Sequence, residues 1–131
     1  MRIETLSGYH DTELVGVQSD NPAELSLVFV SSDGTHKTLT LQDCELFRIV
    51  DFVKQNVVSR IMLFRGEDVD ENYVGEKLEW ISMLSDTSSF LSKDRKVDIV
   101  RKIRKADYSL VVLEPSCGAD VAALCSRIHE S

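Results

Sequence analysis

The chain has 131 residues, of which 43% are hydrophobic and 28% charged, with a formal net charge of −7. A chain of this length hides roughly two thirds of its unfolded surface on folding, so it needs no disulfide or metal staple, and residues 1–131 read as one domain. The acidity works against nonspecific attraction to nucleic acid or anionic membranes, which bind through Lys and Arg set against phosphates.

Strand character comes first. Glu13 to Gln18 follows the turn Gly8-Tyr9-His10-Asp11 and is stopped by Asp20-Asn21-Pro22. Glu24 to Val30 puts Leu25, Leu27 and Phe29 on one face, and Thr38-Leu39-Thr40-Leu41 alternates in the same way. The linker Ser32-Asp33-Gly34-Thr35 carries the Asp-Gly pair that supplies the positive φ of a tight hairpin. Further strands are expected over Cys44 to Val50, with Leu46 and Phe47 on opposite faces, and over Val57 to Phe64, which is rich in β-branched residues. Between them Asp51 to Asn56 reads as a turn, with Asn56 suited to the left-handed region. About five strands in succession suggest an antiparallel meander, curled or sandwich-like.

Beyond Gly66 the period changes. Over residues 73–84, Val74, Leu78 and Ile81 fall at helical spacing, beside a stripe of Tyr73, Lys77, Trp80 and Leu84. Asn72 is the expected N-cap, and Gly75 weakens the helix by about 1 kcal/mol relative to Ala. The polar run Ser85-Asp86-Thr87-Ser88-Ser89 breaks it, and Ser92 caps a second helix over 93–105 with Val97, Val100 and Ile103 as its buried stripe. Tyr108 to Leu113 returns to strand and ends in the Pro/Gly loop Glu114 to Gly118. Residues 119–129 fit either period: Val121, Leu124, Cys125 and Ile128 suit a helix, while Ala119, Val121, Ala123 and Cys125 alternate as a strand, and alanine content favours the helix. The fold class is α+β, an antiparallel sheet with two helices.

Three cysteines, Cys44, Cys117 and Cys125, are odd in number and widely spaced, which suits a reducing cytoplasmic address. Met1 to Thr5 lacks the pattern of a secretory leader, and no stretch approaches the ~20 apolar residues that span a bilayer, so no membrane role is expected.

Candidate chemistry is sparse. His10-Asp11 could ligate a metal, act as a base or meet a partner, but a structural or capping role accounts for such a dipeptide more simply. Cys117 is the best placed thiol for a nucleophile, in a loop whose N–H groups could lower its pKa, although no histidine is paired with it by spacing. Ser116-Cys117-Gly118-Ala119 would hold an anion if a helix began at Asp120. The spacings of zinc, dinucleotide and P-loop motifs are absent, so neither cofactor nor metal is expected.

Charge is more informative. Glu67, Asp68, Asp70, Glu71, Glu76 and Glu79 crowd the start of the first helix, and Lys93, Arg95, Lys96, Arg101, Lys102, Arg104 and Lys105 crowd the second. These blocks can solvate their helices and neutralise each other. As a functional surface, the acidic stretch would meet a basic protein and the basic helix an anion or nucleic acid, and the net charge prefers the former.

Three segments carry a likeness: Tyr9 to Val17, Leu46 to Phe52 leading into Gln55-Asn56-Val57-Val58, and Glu114 to Ala119. In these the chain resembles small, mostly uncharacterised bacterial β-rich domains, some of them similar to immunity proteins of polymorphic toxin systems. The resemblance implies a strand after Gly118 and carries over no catalytic residue. The expected function is a non-enzymatic protein-interaction domain, with an immunity-type protein that neutralises a basic enzyme as one form. The alternatives are a small hydrolase or transferase using His10, Asp11 or Cys117, and a nucleic-acid binder using the helix at 93–105.

Overall fold

The computed structural model describes residues 3–83 and 89–131. In chain order the elements are β1 (Glu4–Thr5), β2 (Glu13–Gln18), β3 (Glu24–Val30), β4 (His36–Gln42), β5 (Leu46–Val50), β6 (Val57–Phe64), α1 (Glu71–Ile81), α2 (Lys93–Arg104), β7 (Ser109–Cys117), β8 (Asp120–Cys125) and β9 (Arg127–Glu130). The fold is α+β. One antiparallel sheet runs β5-β8-β7-β6-β2-β3-β4-β9, with β1 also on β6, and β5 and β9 leave it open at its two ends.

The β3–β4 hairpin forms around the Asp-Gly pair: Gly34 takes φ +86° and the Ser31 N–H donates to the Thr35 carbonyl at 3.0 Å. Leu25, Leu27, Phe29, Leu39 and Leu41 are all buried, so the alternation of both strands points one way.

Consecutive pairing holds for β2, β3 and β4 but not for all five early strands, because β5 pairs with β8 and β6 lies between β2 and β7. Burial accounts for the order. Ile61-Met62-Leu63-Phe64 of β6, Leu110 to Leu113 of β7 and Val121 to Leu124 of β8 are buried at every position, so these strands must be covered on both faces and take central places. Half-buried along its whole length, β5 suits an end.

The sheet accordingly serves two cores. One face encloses Tyr9, Phe29, Leu14, Leu25, Leu39 and Ile61 with the residues of β7 and β8 that point the same way. The opposite face of β6, β7 and β8 packs Met62, Phe64, Val112 and Leu124 against Val74, Leu78, Ile81, Ile99 and Ile103 of the two helices. Leu46 joins the helical core and Phe47 the enclosed one, as their opposite faces on β5 require.

Four local expectations are revised. The first helix spans Glu71–Ile81 instead of 73–84, and Asp70, not Asn72, caps it by accepting from the N–H groups of Asn72 and Tyr73; Leu84 and residues 85–88 lie outside the described residues. In α2 the buried residues are Ile99 and Ile103, while Val97 is 63% exposed. The i,i+4 pair Ile99–Ile103 faces the sheet, and Lys96 and Arg95 on the neighbouring stripe pair with Glu79 and Glu45, which leaves Val97 outward. Residues 120–125 and 127–130 are strands, so the strand reading prevails over alanine's helix propensity, and β8 is buried on both of its faces.

Asn56 is the fourth. It has no positive φ; Asp51 takes that role at +61°. Asn56 is instead buried at 4% exposure, and its amide uses all of its directions. Oδ1 accepts from the N–H of Val53 at 2.9 Å and of Ala119 at 3.0 Å, and Nδ2 donates to the carbonyls of Val53 at 2.8 Å and Leu14 at 3.2 Å. Gly118 beside it takes φ +84°, and a Cβ there would come within 2.8 Å of the Gln55 carbonyl. Among the described residues no helix is long and apolar enough to cross a membrane.

Candidate functional site

His10 and Asp11 form a tight turn before β2. His10 Nδ1 lies 3.2 Å from Asp11 Oδ2, and the two side chains are 76% and 73% exposed. Asp11 takes φ +65° and its N–H donates to the Val58 carbonyl at 2.9 Å. The dipeptide thus sits where the chain turns onto β6. His36 lies in β4 and His129 in β9, and among the described residues no three His, Cys, Asp or Glu side chains gather to hold a metal.

Cys117 ends β7, is exposed, and pairs with Val57. Asp11 and Cys117 therefore flank the first two residues of β6 from opposite sides, held by backbone ladders. Because β8, a strand, begins at Asp120, no helix N-terminus stands behind Ser116-Cys117-Gly118-Ala119, and the anion-holding turn loses its physical basis.

The charged blocks meet across the two helices. Arg104 donates to Glu71 at 2.9 Å and Glu67 at 3.0 Å, and Lys96 pairs with Glu79. Asp70 is occupied as the α1 cap. On α2 itself, Asp98 gathers Arg95, Arg101 and Lys102, and the Arg101 hydrogen bond, with the two cations, holds its carboxyl below the usual range. Lys102 also stands 5.4 Å above the Tyr108 ring. Of the six acidic residues, only Asp68 and Glu76 lack both an ion pair and a capping role among the described residues. Half of the acidic block, Glu67, Glu71 and Glu79, is tied to α2 through Arg104 and Lys96, in largely solvent-exposed pairs that each contribute no more than about 1 kcal/mol.

A groove of about 640 Å³ runs between the two helices on their outer side. Gly75, Val97 and Val100 line its apolar part. Its charged margin sets Glu67 and Glu71 against Lys96, Arg101, Arg104 and Lys105, so the margin is locally cationic despite the acidity of the chain. Missing from the sequence reading was Gly75 as a groove residue: a Cβ there would meet nothing within 4 Å, so the helix-weakening glycine leaves bare backbone in the groove. A glycine on the same helix as an exposed charged stripe was the available signal.

The three segments that carry the resemblance converge elsewhere. Leu14, Asn56 and Ala119 meet through the Asn56 amide, and the Val58 N–H donates to the Thr12 carbonyl at 2.9 Å. Their meeting point is buried and fully hydrogen-bonded, a structural knot without an open face.

No protein-family model matches the chain, and no curated protein matches it. Among solved structures, the fold is similar to that of an uncharacterized protein from Neisseria gonorrhoeae, with a TM-score of 0.56 and 12% identity over 100% of this chain and 98% of the other. At that identity the likeness concerns the fold alone.

Proposed function

We propose that this chain is a non-enzymatic protein-interaction domain that engages its partner through the outer groove between α1 and α2. The observation that carries the reading is the groove itself: an apolar strip of Gly75, Val97 and Val100, with Val97 63% exposed, inside a ring of charges. An apolar centre within a polar rim is the layout of protein interfaces. The partner segment it fits is amphipathic, with an apolar side chain for the strip and a carboxylate for Lys105, since Arg101 is already held by Asp98. The six-acid stretch supports a docking surface less well, since Glu67, Asp70, Glu71 and Glu79 already have partners in the chain.

The immunity-type form of this reading, with a basic toxic enzyme as partner, draws support from the net charge of −7, which accelerates encounter with an oppositely charged protein. Free Cys44, Cys117 and Cys125 support a cytoplasmic address.

A stoichiometric complex isolated from the native cell supplies the partner for the test. Val97→Asp changes an exposed residue and Gly75→Ala fills open space, so both variants should fold as the original does. Each is expected to weaken the complex about tenfold, or ~1.4 kcal/mol. Undiminished affinity in both would refute the groove, and a melting temperature raised by a metal ion or nucleotide would favour the hydrolase or transferase reading.

A further inference from the structure

The geometry points to Cys44 and Cys125 as a reversible oxidation site that takes a hydroperoxide as its oxidant. The two residues are 81 apart in sequence but meet where the sheet changes partners. Gln42 pairs with Arg127 on one side and Leu46 with Leu124 on the other, so Asp43, Cys44 and Glu45 span the gap opposite Cys125 and Ser126, with the Cys44 N–H donated to the Ala23 carbonyl at 2.8 Å. Backbone bonds close both ends of this bulged stretch, Ser126 N–H to the Gln42 carbonyl at 3.1 Å and Glu45 N–H to the Leu124 carbonyl at 2.9 Å. Neighbouring antiparallel strands hold facing Cα atoms about 4.5–5.5 Å apart and a disulfide spans about 4.4–6.8 Å, so a bulged gap between two such strands lies within its reach. Both side chains belong to the enclosed core.

Their environments divide the work. Cys44 is half-buried and open to a small oxidant, whereas Cys125 is 0% exposed. The Cys44 thiol also reaches the Leu41 carbonyl at 3.4 Å. The neighbouring Cys125 thiol lowers the Cys44 pKa from the ordinary thiol value, against burial and the charges of Asp43 and Glu24, and Cys44, with burial, pushes the Cys125 thiol up. Exposure assigns the roles: Cys44, which solvent reaches, is the sulfur an oxidant meets first, and the fully buried Cys125 is the resolving thiol.

In the first step Cys44 Sγ attacks the terminal oxygen of the hydroperoxide. The O–O bond breaks, an alcohol or water leaves, and Cys44 becomes a sulfenic acid. Cys125 Sγ then attacks Cys44 Sγ, the S–S bond forms as the S–O bond breaks, and the hydroxyl departs as water with the Cys125 proton. Two thiols lose two electrons and two protons in all, and the peroxide is the species reduced. The link joins the β4–β5 corner to the passage from β8 into β9. Cys117 stands at the opposite end of β8, a strand of six residues and about 20 Å long, out of reach of either sulfur.

The experiment treats the reduced full chain with hydrogen peroxide and follows intact mass and peptide maps without reductant. The expected result is loss of the mass of two hydrogens, a single peptide pair joining Cys44 to Cys125, and its release by dithiothreitol. Cys125→Ala should leave Cys44 as a sulfenic acid that dimedone traps. The site is refuted if Cys117 is oxidised while no Cys44–Cys125 link forms, or if the only disulfide is a Cys117-linked dimer.

Discussion

Replacing Asn56 by Asp keeps the shape of a buried side chain while changing one atom from donor to acceptor. Oδ1 would still accept from Val53 and Ala119, but Oδ2 would face the Val53 and Leu14 carbonyls that Nδ2 now serves at 2.8 and 3.2 Å. Two donated bonds are lost, and a charge is confined at a site 4% exposed. Each unsatisfied carbonyl costs about 1–3 kcal/mol, so with the buried charge the loss at pH 7 should be about 3–5 kcal/mol, a large part of an ordinary stability of about 5–15 kcal/mol. Burial and facing carbonyls raise the folded-state pKa of the new carboxyl above its unfolded value of about 3.9. Below that value both states are protonated, and the carboxyl O–H donates one of the two bonds, so the loss should shrink to about 1–2 kcal/mol. It should grow as pH rises above about 4 and level off beyond the folded pKa. Urea unfolding of both proteins at pH 4 and pH 7 measures the difference. A loss under about 1 kcal/mol at pH 7, or an equal loss at both pH values, would refute the knot.

Gly118→Ala should cost more than about 2 kcal/mol, because φ is +84° and the added Cβ would approach the Gln55 carbonyl to 2.8 Å and collide with Asn56 Oδ1; a melting temperature near the original would contradict this. Tyr9 is buried, and its hydroxyl donates to Glu130 at 3.1 Å; burial first, then that charge and bond, hold its phenol protonated above the usual range. A raised folded pKa means stability complete below about pH 10 and lost as pH rises beyond it. Tyr9→Phe should therefore flatten, though not abolish, the alkaline decline in urea midpoint, since burial also raises Tyr73 and Tyr108; an unchanged slope would count against it. Arg104→Ala breaks contacts to two exposed carboxylates and should cost less than about 1 kcal/mol at low salt and almost nothing at high salt, as read from melting temperatures across ionic strength.

What the sequence makes legible is what short range determines. Strands 13–18 and 57–64 appear with the bounds their patterns indicate, Gly34 turns the hairpin, and Ser92 caps α2 through the Arg95 N–H at 3.1 Å. The last strands were hidden because β8 is covered on both faces, which erases the alternation that marks a half-buried strand. Asn56 shows how one residue type serves two ends, since the same amide that tolerates a left-handed turn can also satisfy four backbone groups. The charged blocks were visible as blocks, but only the packing of α2 beside α1 shows that Arg104 holds Glu67 and Glu71. For the same reason the groove left between them could not be read from either helix alone.

The passage of β8 into β9 has a consequence for the birth of the molecule. The partner of β5 begins at Asp120, about seventy residues after Val50, and β4 meets its outer neighbour only at Arg127. At a synthesis rate of about 5–20 residues per second, both strands wait several seconds with open edges. Such edges are templates for pairing with other chains until the last strands arrive. The newborn chain is therefore most exposed to aggregation, and most in need of a chaperone's shelter, in the interval before residues 120–130 emerge.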